Sequence, residues 1–348
     1  MKTEKNKKFV LSIIIPVYNS QAFIQRCLDS LVLSEELMSR LEVVIVDDGS
    51  SDHGAEYAEA YRQKYPHSFR IVHKPNGGHG SAVNEGVRHC TGRYLKVLDA
   101  DDWLHTDSLG KLPGILEGVD AQVIACGYDR YCIPQKETVR VSAGLSGKNR
   151  IRYLDMEQLI REWSRIRQIF CLHGLIYQTD FYKKLCYQLP EGVFYDDAFF
   201  FTVPCSHADR LCILDMQLYV YRTGDPSQSI SARNREKRIH QMEEVIRAIV
   251  RTKSRNKEKT EAGKEYWYRK LVSVVTDYYV TACFRCRDRK RGRKTARGFT
   301  RELRQTDGEL YQRIKSRYRL FAVMSVCRCS ERDFERVRKW KDFFLLRH

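Results

Sequence analysis

Apolar and polar positions along the first hundred residues fall into blocks that predict strands and helices by turns. Val10 to Val17 (VLSIIIPV) is a nearly continuous β-branched run, the pattern of a strand covered on both faces. Phe23, Ile24, Cys27, Leu28, Leu31 and Val32 recur at three- and four-residue spacing. That spacing predicts an amphipathic helix, with Asn19 and Ser20 as candidate N-caps. Leu41 to Val46 reads as a second buried strand, ended by Asp47, Asp48, Gly49 and Ser50. A helix over 52–64, a short strand over 69–73, a helix over 80–90 and a buried strand over 94–98 follow. This βαβαβαβ alternation with short links predicts a mainly parallel sheet flanked by helices. In such sheets ligands sit beyond the carboxyl ends of the strands.

Beyond Trp103 the pattern loosens. Residues 119–131, 138–141 and 210–221 read as strands; 154–163, 180–185 and 196–204 read as helical. From about Ala232 glycine and proline become rare, Lys and Arg dense, and apolar residues recur at helical spacing. The expected organisation is therefore an α/β domain over 1–231 and a basic α-helical extension over 232–348.

Charge follows the same division. The 348 residues carry 61 Lys+Arg and 44 Asp+Glu, a formal net charge of +17. Residues 231–348 hold 34 basic and 15 acidic side chains, a surplus of 19, while residues 1–230 hold 27 and 29. The surplus suits a polyanionic neighbour of the extension only. A hydrophobic content of 43% excludes global disorder. Twelve cysteines are too few for a disulfide scaffold. The opening MKTEKNKKFV lacks an apolar core before Pro16, so no signal peptide is expected and the thiols should be reduced. No apolar run of about 18 residues is present, so no membrane span is expected. A cytoplasmic protein, at most applied to the inner face of the cell membrane, is the expectation.

Four polar clusters carry candidate chemistry. Asp99-Ala100-Asp101-Asp102 follows a strand end; acids so close raise one another's pKa unless a cation intervenes. A Mg or Mn ion with oxygen ligands is one neutraliser; a solvated turn with Asp102 and Asp107 as helix caps is the plainer reading. Asp47-Asp48-Gly49-Ser50 reads either as an Asp-Gly turn or as a ligand-binding carboxylate pair. Asn76-Gly77-Gly78-His79-Gly80-Ser81 precedes a helix and could bring backbone N–H groups to a phosphate, or be a flexible turn. It matches neither G-x-G-x-x-G nor a Walker loop. Asp196-Asp197 opens a helix after a glycine loop, either as capping acids or as a positioned general base.

Taken together, LSIIIPVYN (11–19), EVVIVDDGSSD (42–52), the segment 76–103, YDDAFF (195–200) and YRTGDPSQS (221–229) resemble glycosyltransferase family 2. Its members are inverting enzymes with the GT-A fold. The last two segments are similar to bacterial members that build capsule, exopolysaccharide or lipopolysaccharide. The resemblance covers residues 9–231. It implies that Asp48 contacts the base or ribose of a nucleotide sugar, with Pro16 and Tyr18 lining the base pocket. Gly78 and Ala100 belong to the donor-binding segments, Asp99 contacts ribose or sugar, and Asp101, with Asp99, holds a divalent metal (Mn or Mg) on the diphosphate. Asp197 becomes the general base, supported by Asp196, and Arg222 reaches the diphosphate. Two departures stand out. The family's Glu-Asp pair is Asp196-Asp197 here, and its Ala-Arg-Asn is Ala82-Val83-Asn84, so another cation must serve; Lys74 and Lys96 are the candidates.

The partners implied are a nucleotide-sugar donor, a saccharide or lipid-linked acceptor, and an anionic membrane against the C-terminal helices. Leu320, Phe321, Val323, Phe334, Trp340, Phe343, Phe344 and Leu345 are the candidate apolar anchors for that contact. A solvated bundle packed on the catalytic domain is the alternative for the extension. No named nucleic-acid motif supports nucleic acid as partner. Cys283, Cys286, Cys327 and Cys329 offer four thiolates for zinc, or are packing residues. His79, His105 and His173 are read as structural or acceptor-facing. A metal-dependent nucleotidyltransferase shares the sheet and paired acids; Asp196-Asp197 and Tyr221-Arg222 favour glycosyl transfer. A nucleic-acid- or membrane-binding protein with an inactive enzyme domain is the remaining alternative.

Overall fold

The computed structural model describes residues 9–145, 151–225, 228, 231–334 and 336. Residues 1–8, Pro226, Ser227 and Ser229 of the 221–229 motif, and the expected anchors Trp340, Phe343, Phe344 and Leu345 lie outside the described residues. The chain divides into two compact units: Met1–Asp225 with Glu258–Tyr266, and Pro226–Lys257 with Trp267–His348. Among the described residues no helix is long and apolar enough to cross a membrane.

The first unit is an α/β fold. Its strands are β1 (Leu11–Val17), β2 (Leu41–Asp47), β3 (Phe69–His73), β4 (Tyr94–Val97), β5 (Trp103–Leu104), β6 (Val123–Cys132), β7 (Glu137–Val141), β8 (Ile151–Leu154), β9 (Leu175–Gln178) and β10 (Leu211–Thr223). They form one sheet in the order β3-β2-β1-β4-β9-β6-β10-β5, with β7 beside β6 and β8 beside β10. β3, β2, β1 and β4 run parallel, as the βαβαβαβ alternation predicts. β9 enters antiparallel to both β4 and β6. Every residue of β1 and β2 is buried. Each fully buried Ile, Val or Leu there contributes on the order of 1.5–3 kcal/mol. Pro16 lies past the last β1–β4 rung, Ile14–Val97, a position where a missing N–H is tolerated.

The helices of this unit are α1 (Ile24–Asp29), α2 (Glu35–Met38), α3 (Gly54–Lys64), α4 (His79–His89), α5 (Thr106–Gly118), α6 (Met156–Arg161), α7 (Trp163–Ile166), α8 (Thr179–Lys184) and α9 (Asp197–Thr202). Several differ from the sequence expectation. Neither Asn19 nor Ser20 caps α1, whose N-cap is Phe23. Asn19 instead takes a left-handed backbone (φ 48°) and its Oδ1 accepts from Ser51 N at 2.8 Å. α1 stops at Asp29, short of Leu31 and Val32. α5, which the sequence reading does not include, carries Pro113 inside it and is held by burial of Leu109, Leu112, Pro113 and Leu116. Leu154 closes a strand rather than opening a helix, and α6 starts one residue past Asp155, which forms a capping box with Gln158.

The second unit is helical, as its texture predicts: α10 (Ala232–Lys237), α11 (Ile239–Arg251), part of α12 (Glu261–Val280), a π-helical turn (Thr281–Arg285), α13 (Arg289–Thr306) and α14 (Gly308–Val326). Val245, Ile246, Tyr278, Tyr279, Phe299, Leu303, Ile314 and Phe321 form its interior. Buried Glu243 accepts from Tyr278 Oη at 2.7 Å, so the charge inside this helical unit is hydrogen-bonded. Cys283, Cys286, Cys327 and Cys329 are all free and form no group of three ligands among the described residues.

Candidate active site

The acids expected at strand ends stand at the carboxyl ends of β2 and β4. After β2, Gly49 (φ 74°) permits a tight turn in which Ser50 N donates to Asp47 Oδ1 at 2.9 Å. Asp48 is buried. Lys74 Nζ (2.6 Å) and Gly77 N (3.0 Å) donate to its Oδ1, and Gly78 N (2.7 Å) to its Oδ2. One carboxylate thus folds the 74–78 loop onto the end of β2, while Tyr18, just past β1, stands 53% exposed.

The glycine loop leads into α4, which docks on the segment before the acid pair. Gly77 O accepts from Gly192 N at 2.7 Å. Asn84 Nδ2 donates to Leu189 O and to Glu191 Oε1, each at 3.0 Å, and its Oδ1 accepts from Leu189 N at 2.8 Å. His79 Nδ1 lies 2.8 Å from Asp196 Oδ2 and Nε2 lies 3.0 Å from Asp99 Oδ1. Burial opposes charge on this imidazole, but the adjacent Asp196 and Asp99 outweigh it and hold its pKa well above the usual value. Asp99 is likewise held low, against its burial, chiefly by its bond to His79. Asp197, next along the chain and partly buried, is pushed up to about 6, first by burial and then by the charge of Asp196.

The four residues 99–102 do not form a solvated turn. Asp102 is 1% exposed; Tyr219 Oη donates to its Oδ2 at 2.5 Å and Arg222 N to its Oδ1 at 2.7 Å. Burial, then the charges of Asp101 and Asp99, raise its pKa well above the carboxylate range. It is therefore not a helix cap but an anchor between the acid turn and β10. Ala100 is buried. Asp101 faces Arg222, whose Nη1 is 3.7 Å from Oδ2, while Arg222 Nη2 donates to Asp225 at 2.7 Å. Of the cations expected to replace an arginine, Lys74 lies on Asp48, and Lys96 Nζ donates to His173 O (2.7 Å) and Leu175 O (3.3 Å). Burial lowers Lys96 to about 8.

One group of three ligand-bearing side chains gathers among the described residues: Asp99, Asp102 and His173, with ligand atoms within 4.8 Å of one another. Burial lowers His173 to about 4, so its ring is neutral and able to ligate. Carboxylate oxygens plus a neutral imidazole suit a divalent cation, so the residues present fit such an ion around Asp99. Asp101, expected beside Asp99, lies outside that group. The sequence reading missed the roles of His79, Asn84, Asp102, His173 and Tyr219. The signal for Asn84 was a polar residue amid the apolar positions of α4, and for His79 an imidazole inside a glycine loop.

A parallel sheet half with acid turns at its strand ends, joined through His79 to the acid pair before α9, is an arrangement of the GT-A fold class. The chain belongs to glycosyl transferase family 2, whose profile matches residues 12–186. It is 29% identical over 226 residues to EpsJ of Bacillus subtilis, an uncharacterized glycosyltransferase, covering 63% of this chain and 62% of EpsJ. It is 27% identical over 246 residues to the uncharacterized glycosyltransferase YibD of Escherichia coli, covering 68% of each. The chain thus spans about two thirds of the length of these relatives. The structure of Staphylococcus aureus TarS residues 1–349 in complex with UDP-GlcNAc shares the fold at a TM-score of 0.54 and 18% identity, over 90% of this chain and 92% of that one. The mannosyltransferase PcManGT of Pyrobaculum calidifontis, in complex with GDP-Man and Mn2+, does so at 0.51 and 14%, over 92% and 85%.

Proposed function

We propose that the protein is an inverting glycosyltransferase that moves a sugar from a nucleoside diphosphate, with UDP as the carrier, to a hydroxyl of a saccharide or lipid-linked saccharide in cell-surface polysaccharide synthesis. The observation that carries this is the placement of Asp197 directly after Asp196, which with Asp99 brackets the His79 ring at 2.8 and 3.0 Å; burial and the charge of Asp196 push the Asp197 carboxyl up to about 6. A general base works best with a pKa near the working pH. The TarS complex with UDP-GlcNAc supports the donor class.

Asp197 takes the proton of the acceptor hydroxyl. The hydroxyl oxygen bonds to the anomeric carbon on the face opposite the diphosphate, and the bond from that carbon to the diphosphate oxygen breaks with its electron pair. Opposite-face attack inverts the carbon, so a UDP-α-sugar gives a β-linkage. Asp48, Pro16, Tyr18, Lys74 and Gly78 form the nucleotide side, Asp99 and Ala100 the sugar side. Arg222 meets the negative charge that grows on the leaving diphosphate. A divalent ion, Mn or Mg, would be held by Asp99, with Asp101 turning from Arg222 to it or with the nearby Asp102 and His173, and would supply further charge neutralisation. The basic helical unit contacts an anionic leaflet, where a lipid-linked acceptor lies.

The test is thermal stabilisation by UDP, GDP and their sugars with and without Mn, followed by product analysis of any donor that binds. Metal-dependent stabilisation by a UDP-sugar and release of UDP on turnover are expected. No stabilisation by any of them sinks the reading.

A further inference from the structure

His79 touches two acidic segments of the first unit at once. Asp99 follows β4, Asp196 precedes α9, and the imidazole spans them through Nε2 at 3.0 Å and Nδ1 at 2.8 Å. The backbone around the ring fits this bridge. Gly78 (φ 85°) turns the chain into α4, and Gly80 lets α4 press on the loop before the acid pair. A Cβ on Gly80 would lie 2.3 Å from Pro190 O and 3.2 Å from Asp196 Oδ2. Asn84 fixes the same loop one turn further along α4. Asp196 is 2% exposed, so its carboxylate has little water to turn to if the imidazole is removed.

We propose that His79 is a positioning residue for the transfer reaction: by bonding to Asp99 and Asp196 together it sets the distance between the end of β4 and the turn that carries Asp197. This rests on Asp197 being the base. Displacements of about 1 Å in such a pair cost roughly 100-fold in rate. Holding the two segments is a task for a two-ended rigid ring. A glutamine, with one donor end and one acceptor end, satisfies only one of two carboxylates.

The experiment compares the full chain with His79→Ala, His79→Gln, Asp196→Asn and the double variant His79→Ala/Asp196→Asn. It reads kcat and KM for the nucleotide sugar, UDP affinity by calorimetry, and melting temperature. For His79→Ala and His79→Gln, kcat should fall roughly 100-fold, with UDP affinity nearly unchanged and part of the loss in His79→Ala restored by added imidazole. In the Asp196→Asn background, removal of His79 should cost only a few-fold more, because its partner is already altered. A kcat within a few-fold of the unaltered chain overturns the proposal. So does a loss shared equally by UDP affinity and melting temperature in both variants. An unaltered chain that turns over no nucleotide sugar overturns the glycosyltransferase reading and this proposal together. An active chain with an inactive Asp197→Asn variant and a fully active His79→Ala variant overturns this proposal alone.

Discussion

Tyr219 ties the acid turn to the last long strand: its hydroxyl donates to Asp102 Oδ2 at 2.5 Å and accepts from Asp99 N at 3.2 Å. One phenol thereby shapes residues 99–102 from the β10 side. Tyr219→Phe leaves the Asp99 N–H and one Asp102 oxygen without that partner in a dry site. A loss of about 2 kcal/mol in urea unfolding is expected, with a raised KM for the nucleotide sugar as the turn loosens. Unchanged stability would show that the bond is dispensable. Asp102 itself, buried beside Asp101 and Asp99, holds its proton more tightly in the folded chain than in the unfolded one. Its contribution is therefore full below the ordinary carboxylate pKa and is lost as pH rises through the raised folded value.

As the proposed general base, Asp197 should set the acid limb of the pH profile. Its base form is the deprotonated one, and its pKa is pushed up to about 6 by burial and Asp196. With transfer as the measured step, kcat should fall about tenfold per pH unit well below 6 and level off above 7. Asp197→Asn should lower kcat roughly 100- to 10,000-fold while UDP still binds. The stability sign is separate. A carboxyl whose folded pKa is raised stabilises below its ordinary value and loses that contribution as pH rises through about 6. Asp197→Asn should therefore gain stability relative to the unaltered chain at alkaline pH, read by melting temperature across pH.

Asp101→Ala tests the metal side. Asp101 pairs with Arg222 across 3.7 Å at the edge of the Asp99–Asp102–His173 group. The expected result is a loss of the Mn-dependent part of UDP stabilisation, with the metal-free melting temperature nearly unchanged. Retention of the full Mn effect would move the ligand role to Asp102 and His173.

A buried polar knot at the opposite end of β1 and β2 gives a stability control away from the chemistry. Glu42 Oε2 accepts from Ser12 Oγ at 2.5 Å and Thr91 N at 2.7 Å, while Oε1 accepts from Thr91 Oγ1 at 3.0 Å. Glu42→Ala strands these donors, and a loss of about 2–3 kcal/mol is expected. Glu42→Gln should cost less. Its carbonyl can replace Oε2 and its amide can donate to the Thr91 hydroxyl. Neither variant should change the KM for the nucleotide sugar; equal losses in both would contradict this account.

The parallel half of the fold was legible because β1, β2 and β4 are mostly apolar and buried on both faces, with helical spacing between the strands. The strand-end acids were legible for the same reason: Asp48, Asp99 and Asp101 interrupt those runs at their carboxyl ends. What could not be read was pairing across distance. β9 is a four-residue strand with no alternation, and it exists because β4 and β6 flank it. α5 hides behind Pro113. Asp102 reads as a helix cap by position, and it takes Tyr219 and Arg222 of β10, more than 115 residues away, to make it an anchor. His79 reads as one more loop residue until Asp196 and Asp99 stand on either side of it. Contacts of that span leave no local trace in composition or periodicity.

The helical unit carries a testable surface. On α14, Leu320 (42% exposed), Val323 (61%) and Val326 (64%) point outward. Arg293 and Arg297 of α13 line a groove together with Val323 and Val326. α13, α14 and the residue after Cys327 hold thirteen Lys/Arg against three Asp/Glu over 289–328. An apolar stripe among arginines fits an anionic bilayer, with about 1 kcal/mol per basic residue near the surface. In vesicle co-sedimentation, binding should require phosphatidylglycerol and weaken with salt. Replacing Leu320, Val323 and Val326 together by Ser should lower binding at least about tenfold, since each exposed side chain inserted contributes on the order of 1 kcal/mol. These three side chains stand in solvent, so the melting temperature should hold. Equal binding to neutral phosphatidylcholine vesicles, or binding that survives the triple replacement, would remove the membrane from this account and leave the basic unit as a solvated bundle.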